Sequence, residues 1–313
     1  MNEDQGTVLV TGGAGFIGFH LTRELLKQER RVVALDNFQD FLPGSEIKYC
    51  RWQSLESENL TKINLDLATD DLTPLNEYGV STVYNMAALP GFLKDWSDIR
   101  PYFESNLLAL NRLLYHFRNS DISNFIQAST SSVYGSRALG DESQGLKPIS
   151  PYGVSKLAAE KLAMTYFDNY KTPIKILRYF SVYGPSQRPD MAFAKIIRCI
   201  KSNTPFEMYG DGTQMRSNTF IRDVIDATIK AEFMEVGEVI NICGDEHASL
   251  NEIIQIIESL SNTKLRISKL TGRKGDQENT FGDNSKAKRI LGWIPKTSLR
   301  QGLKEQFENM ANL

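Results

Sequence analysis

Cysteine and histidine are scarce in this 313-residue chain, at three each. Cys50, Cys199 and Cys243 are odd in number and widely spaced, and no CxxC occurs. Neither a disulfide framework nor a zinc knuckle is supported, and the thiols read as small buried hydrophobes. His20, His116 and His247 are as scattered, without metal-ligand spacing. No apolar stretch approaches the ~18 residues of a membrane span. Charge of neither sign dominates: 36 Lys and Arg against 38 Asp and Glu leave −2. No basic excess points to nucleic acid, and no acidic run reads as a tail. The chain starts with Glu3 and Asp4 and then enters a strand-like run, which is unlike a secretory signal. The expectation is a cytoplasmic protein with no membrane and no nucleic-acid partner.

What is present is an ordinary globular composition, 41% hydrophobic and 24% charged. Its length suggests about two domains at ~150 residues each. A short apolar run, Thr7 to Thr11, leads into Gly12-Gly13-Ala14-Gly15-Phe16-Ile17-Gly18 and then a helix-like stretch, His20 to Gln28. Further strand-like runs are Arg31 to Leu35, Ile63 to Leu67, Thr82 to Met86, Asn124 to Ala128 and Ile174 to Tyr179. Helix-like stretches, Tyr102 to Asn119 and Val154 to Tyr170, lie between them. Strands alternating with helices predict a doubly wound parallel sheet of Rossmann type. After about Phe180 the segments shorten. We expect residues 1–180 to form a dinucleotide-binding domain, with 220–246 returning to it. Residues 181–313 are expected to form a smaller α/β region over the substrate. No internal repeat is visible.

The glycines at 12, 15 and 18 carry chemistry because of their context: a strand before, a helix after, and Asp36 closing the next strand. Such glycines let the backbone approach a pyrophosphate at a helix N-terminus. A carboxylate at 36 accepts hydrogen bonds from the adenosine ribose hydroxyls and repels a 2′-phosphate, which favours NAD over NADP. Asp66 is either an adenine contact at a strand edge or a turn aspartate.

Tyr152-Gly153-Val154-Ser155-Lys156 is a YxxxK, which on a helix puts both side chains on one face. The lysine charge is expected to lower the phenol pKa and make Tyr152 a general base for an alcohol proton. Upstream, Ser129-Thr130-Ser131-Ser132 is a hydroxyl-rich turn directly after a buried strand, where ligands of parallel sheets bind.

With these motifs in this order, the chain resembles the extended short-chain dehydrogenase/reductases of the nucleotide-sugar epimerase and dehydratase group. The likeness runs through TGGAGFIG, YNMAALPG, ASTSSVYG, SPYGVSK, LRYFSVYGP, GDGTQMR, RKGD and LGWIPKTSL, and SVYGPSQRPDMAF is most similar to UDP-glucuronate 4-epimerases. The resemblance implies that Gly12, Gly15, Phe16, Ile17 and Gly18 hold the NAD pyrophosphate. It assigns Asp36 and Asn37 to the ribose, Asp66 and Leu67 to adenine, and Ala87 and Asn106 to the cofactor cleft. Lys156 would bind the nicotinamide ribose and Phe180 would approach the nicotinamide. Thr130 and Tyr152 would bracket the sugar 4-hydroxyl, and Ser131, Ser132, Ser181 and Arg188 would cradle a uronate carboxylate. Arg216 and Arg273 match arginines that hold the UDP diphosphate, although by themselves they read as solvated charge. A homodimer through the helices containing Leu107 to Phe117 and Leu157 to Phe167 is also implied, although both stretches could simply pack on the sheet.

The related dehydratases carry Asp-Glu where Ser131-Ser132 stands, and the decarboxylases commonly keep a glutamate at 132. The absence of acids from this turn favours plain 4-epimerisation of a UDP-sugar, most of all UDP-glucuronate. The alternatives are a UDP-glucuronate decarboxylase, a UDP-glucose or UDP-N-acetylglucosamine 4-epimerase, a nucleotide-sugar dehydratase, or a catalytically silent NAD-sensing protein. Three features depart from the group: Leu89 to Leu93 where many relatives place an arginine, Ser217-Asn218 in place of Asp-Phe, and Trp52 in the stretch after Asp36.

Overall fold

A wholly parallel seven-stranded sheet forms the centre of the computed structural model, which describes residues 6–40, 44–91, 96–271 and 277–310. In chain order its strands are β1 (Thr7–Thr11), β2 (Val32–Asp36), β3 (Leu60–Asn64), β4 (Val80–Asn85), β5 (Asn124–Thr130), β6 (Ile174–Tyr179) and β7 (Val239–Ile242). In space the order is 3-2-1-4-5-6-7, so the chain reverses its direction of growth between β1 and β4. That switch point opens a crevice at the carboxyl ends of the strands.

The strands are apolar nearly throughout because helices cover both faces. Successive residues serve opposite cores. Val8 and Val10 of β1 join Leu21 and Leu25 of helix α1 (Phe16–Lys27), whereas Leu9 joins Leu110, Leu113 and Leu114 of a helix on the other face. Each such leucine, buried from an exposed chain, contributes about 1.5–3 kcal/mol. A one-residue slip of β1 would exchange its two cores.

Several boundaries differ from the sequence reading, each for a local reason. β3 ends at Asn64, so Asp66 and Leu67 lie in the turn beyond it, where Asp66 Oδ1 accepts from Ala68 N at 2.8 Å. The stretch from Arg100 is helical to Phe117 but contains a π-turn at Glu104–Leu108. The helix expected from Val154 begins at Pro151: the Ser150 hydroxyl accepts from Gly153 N at 3.1 Å, and proline fits the first turn. It runs to Tyr170 and ends where Lys171 turns left-handed.

The remaining strands form smaller sheets. Met215–Phe220 pairs in parallel with Ser181–Tyr183 and Asn279–Thr280 and antiparallel with His247–Ser249. Phe206–Tyr209 pairs with Ile267–Leu270. A capping box between Ser249 and Glu252 starts the helix Leu250–Ser261. Trp293, fully buried, donates its indole N–H to Asp223 O at 2.9 Å and ties the C-terminal segment to the helix Ile221–Lys230. No helix among the described residues is long and apolar enough to cross a membrane, and no metal-binding cluster occurs among them.

Candidate functional site

At the switch point the turn Gly12–Gly15 joins β1 to α1. Gly12 has φ +66°, and a Cβ there would lie 2.9 Å from the Ala87 backbone. A Cβ on Gly18 would lie 2.1 Å from the Gly12 carbonyl oxygen. The turn therefore presses directly on the helix start and on the end of β4, and only glycine fits. Gly15 precedes α1 in extended conformation with no side-chain cap, which leaves the first helical N–H groups open to an anion.

Asp36, 4% exposed, closes one side of this crevice. Its Oδ2 accepts from Ala14 N at 3.0 Å, and its Oδ1 from Phe38 N at 2.9 Å and Lys48 Nζ at 3.3 Å. Asn37 donates to Asp66 Oδ2 at 3.0 Å, and Leu67 is buried beside them. Gly12, Asp36, Asn37, Asp66, Leu67, Ala87 and Ala109 line one pocket. Ala87 N donates to the Thr11 hydroxyl at 3.1 Å. Asn106, delivered by the π-turn, clamps Leu89 from both sides: its oxygen accepts from Leu89 N at 2.7 Å and its amide donates to Leu89 O at 3.1 Å. The amide also reaches Ser155 Oγ at 3.0 Å. Asn106 thus joins the loop after β4 to the helix that carries the YxxxK. Phe16 and Ile17 stand in the first turn of α1 and are half-buried.

The end of β5 meets that helix along three consecutive residues. Ala128 O accepts from Lys156 Nζ at 2.6 Å, Ser129 Oγ donates to Glu160 Oε1 at 2.5 Å, and Thr130 hydrogen-bonds the Tyr152 phenol. Tyr152, Lys156 and Glu160 lie four residues apart on one helix face. Thr130 also accepts from Ser132 N at 3.2 Å, which starts the short turn Ser131–Tyr134. Beneath it, Glu160 receives both Arg178 Nε, at 2.9 Å, and Arg178 Nη2, at 2.8 Å. Arg178 Nη1 donates to Tyr134 Oη at 2.8 Å, and that hydroxyl donates to Asn241 Oδ1 at 2.7 Å.

The electrostatics correct one expectation. Burial pushes the Tyr152 phenol above its ordinary value; the Thr130 hydrogen bond and the charge of Arg188 pull the other way. The phenol therefore lies above its ordinary value, where the sequence reading expected it lowered. The Lys156 ammonium turns to Ala128 O, and burial brings its own pKa down to about 8 against the opposing pull of Glu160. The cation that bears on Tyr152 is Arg188, which is 8% exposed and makes a two-point pair with Asp190 at 3.0 and 2.7 Å.

Of the other sequence candidates, Ser181 opens its short strand half-buried, and Ser131 contacts Gln277 at 3.4 Å. The Phe180 ring is committed to a small core with Val133, Tyr134 and Cys243. The Arg216 guanidinium folds onto the backbone carbonyls of Met215, Gln277 and Glu278. Arg273 lies outside the described residues. Sequence reasoning missed Lys48, Arg51, Glu160, Arg178 and His20. The i, i+4 step from Lys156 to Glu160 was a signal that could have found one of these five.

Residues 8–243 match the NAD dependent epimerase/dehydratase family. The chain belongs to this family. The chain is 40% identical, over 98% of both chains, to a protein of Bacillus subtilis (strain 168) described as an uncharacterized UDP-glucose epimerase, YtcB. It is 36% identical to the UDP-glucuronate 4-epimerase of Thermodesulfobacterium geofontis, over 96% of this chain and 94% of that one. Among solved structures, the UDP-glucuronic acid 4-epimerase of Bacillus cereus, in complex with UDP-glucuronic acid and NAD, superposes with a TM-score of 0.93. It is 40% identical, and the match covers 97% of this chain and 98% of that one.

The site suits the cofactor named by the family. The glycine turn admits no side chain at Gly12 or Gly18, Asp36 faces the crevice, and a buried guanidinium, that of Arg51, keeps its Nε without a partner beside the turn.

His20, in α1, also bears on this region. Its Nδ1 accepts from Arg23, a pure donor, so Nε2 carries the proton and donates to Pro185 O at 2.9 Å. Burial lowers its pKa from 6.5 to about 4, opposed by the Pro185 hydrogen bond. Because the unfolded chain binds the proton first, stability is complete above pH 6.5 and is lost as pH falls toward 4. At pH 5 the loss from this group is about 2 kcal/mol. Urea titrations at pH 7 and pH 5 should show wild type losing that much more than His20→Gln. Equal losses would remove His20 from the pH response.

Proposed function

We propose that the protein is an NAD-dependent UDP-glucuronate 4-epimerase. The observation that carries this reading is the buried Arg188 guanidinium bearing on the Tyr152 phenol, beside a turn that offers hydroxyls and no carboxylate. A uronate places its carboxylate next to C4, so a cation beside the C4 base is where that group needs one. Ser131, Ser132 and Ser181 supply the remaining donors. The relatives described as UDP-glucuronate 4-epimerases support the same choice.

In this reading Gly12, Gly15, Phe16, Ile17 and Gly18 hold the NAD pyrophosphate. Asp36 and Asn37 take the adenosine ribose, Asp66 and Leu67 the adenine, and Lys156 the nicotinamide ribose, with Ala87, Asn106 and Phe180 closing the cleft. NAD bound there supplies the hydride acceptor for C4 and afterwards the hydride donor. Tyr152, hydrogen-bonded by Thr130, removes the proton of the C4 hydroxyl. The 4-keto sugar turns its other face, and Tyr152 returns a proton to its oxygen. Arg216 and Arg273 hold the UDP diphosphate throughout. A 4-ketouronate is a β-keto acid, and it loses carbon dioxide when the breaking C–C bond aligns with the ketone π system. Hydrogen bonds from Arg188 and the serines keep the carboxylate out of that alignment.

The protein acts as a homodimer in this account, joined through helices that expose Leu108, Tyr115, Val154 and Tyr170. Three free cysteines suit a reducing cytoplasm.

The test is incubation with UDP-glucuronate and analysis of products by mass and proton NMR. An isobaric product with a galacto C4 proton is expected. Loss of carbon dioxide, or turnover of UDP-glucose alone, would overturn the reading. Arg188→Ala should raise KM for UDP-glucuronate by about tenfold to a hundredfold, the worth of a charge-assisted hydrogen bond. It should also release a decarboxylated by-product and leave the KM for UDP-glucose nearly unchanged. An unaltered KM and product ratio would end the carboxylate role.

A further inference from the structure

The loop that carries Arg188 is hung on the cofactor domain at two successive carbonyls. His20 of α1 donates to Pro185 O at 2.9 Å. Arg51, from the helix Ser45–Gln53, donates through Nη2 to Ser186 O at 2.5 Å and through Nη1 to Ala14 O at 3.2 Å. One guanidinium therefore spans the glycine turn and the substrate loop. The loop conformation it holds is a costly one: Ser186 has φ +63°, and Gly184 has φ +143°.

Arg51 is not neutralised by this arrangement. It is 6% exposed, its Nε has no partner, and both its acceptors are uncharged carbonyls. The carboxylate that offsets its charge, Asp36, is already paired with Lys48. The charge of Arg188 opposes it from the loop, and burial together with that repulsion brings its pKa down to about 10. A buried guanidinium without a counter-ion, with an orphaned N–H, costs several kcal/mol unless an anion completes it. It touches the Ala14 carbonyl inside the turn that opens α1, where a phosphate is expected.

We propose that Arg51 is a ligand of the cofactor pyrophosphate and couples it to the substrate loop, so that cofactor and nucleotide sugar each tighten the binding of the other. With the pyrophosphate in place the guanidinium gains its counter-ion and holds Ser186 more firmly, which fixes Arg188 two residues further on. Coupling of this kind is reciprocal. The uronate part of the inference rests on the function proposed above; the pyrophosphate part does not.

The test uses full-length protein stripped of nucleotide, with NAD binding measured by calorimetry alone and in the presence of UDP-glucuronate or of UDP. In wild type, UDP-glucuronate should tighten NAD binding about tenfold. Arg51→Met should weaken NAD binding about tenfold and bring the coupling factor to one. Arg51→Lys keeps a point charge but cannot span both carbonyls, so it should retain most NAD affinity and lose the coupling. Wild-type NAD affinity in Arg51→Met, or wild-type coupling in Arg51→Lys, overturns the proposal. If Arg51→Met does not fold, Arg51→Lys alone decides. If wild type binds UDP but not UDP-glucuronate, the uronate reading has failed instead, and the Arg51→Met affinity still tests the pyrophosphate contact.

Discussion

Tyr152→Phe should fold, bind NAD and the nucleotide sugar as wild type does, and turn over about 10³-fold more slowly. The magnitude is what a positioned general base contributes, ~10² to 10⁴. The ring is half-buried at the mouth of a helix whose start is fixed independently by the Ser150 cap and Pro151. Removing the hydroxyl therefore leaves the helix where it is. What disappears is the oxygen whose pKa the Thr130 hydrogen bond and the Arg188 charge pull down. Because burial raises the phenol's pKa, the base depends on cations that arrive with or flank the ligands, and a phenylalanine has no substitute for it. Steady-state kinetics, with NAD and UDP-sugar affinities measured separately, check this. A loss of less than tenfold in kcat would mean that another group removes the proton. An equal loss in binding would mean that the hydroxyl is part of the scaffold.

The sequence reading recovered what depends on local pattern. β1 and β6 begin and end where the apolar runs do. The glycine turn was legible because strand, turn and helix adjoin in the chain. Asp66 was only half legible: its position was visible, but nothing in its neighbours separates a strand edge from the turn that its own side chain builds with Ala68. The direction of the Tyr152 shift was not legible for a different reason. Helical spacing gives a shared face and says nothing of where a long side chain ends, and Ala128 O captured the ammonium. Arg51 was invisible for a related reason. Its partners, Ala14 and Ser186, stand 37 and 135 residues away. The departure noted around Trp52 belongs to the same helix. Trp52 packs edge-on against Phe38, which also stacks on Tyr49, so the aromatic cluster seats the helix that delivers Lys48 and Arg51 to the cofactor crevice.

Arg178→Met should cost about 3–5 kcal/mol of folding stability, since it strands the Glu160 carboxylate in the core. The side chains of Arg178 and Glu160 are 5% and 4% exposed and joined at two points, and Ser129 and Tyr134 complete them. The double variant Glu160→Gln/Arg178→Met should recover most of that loss, because buried pairs replaced whole are often neutral. Stability alone would make the pair structural, but its location ties it to the chemistry. Glu160 is one turn beyond Lys156 and pulls the lysine pKa upward against burial. The charge that bears on Lys156 is that of Glu160, while its ammonium donates to Ala128 O. Glu160→Gln removes this negative charge, so the lysine pKa must fall below its present value of about 8. If the cationic lysine is needed for turnover, the alkaline limb of the kcat profile moves to lower pH in Glu160→Gln. A purely structural pair would instead lower the urea midpoint and leave the profile where it was. Urea melts combined with pH–rate profiles of the three variants separate the two outcomes. An unshifted limb would confine Glu160 and Arg178 to holding the helix against β5.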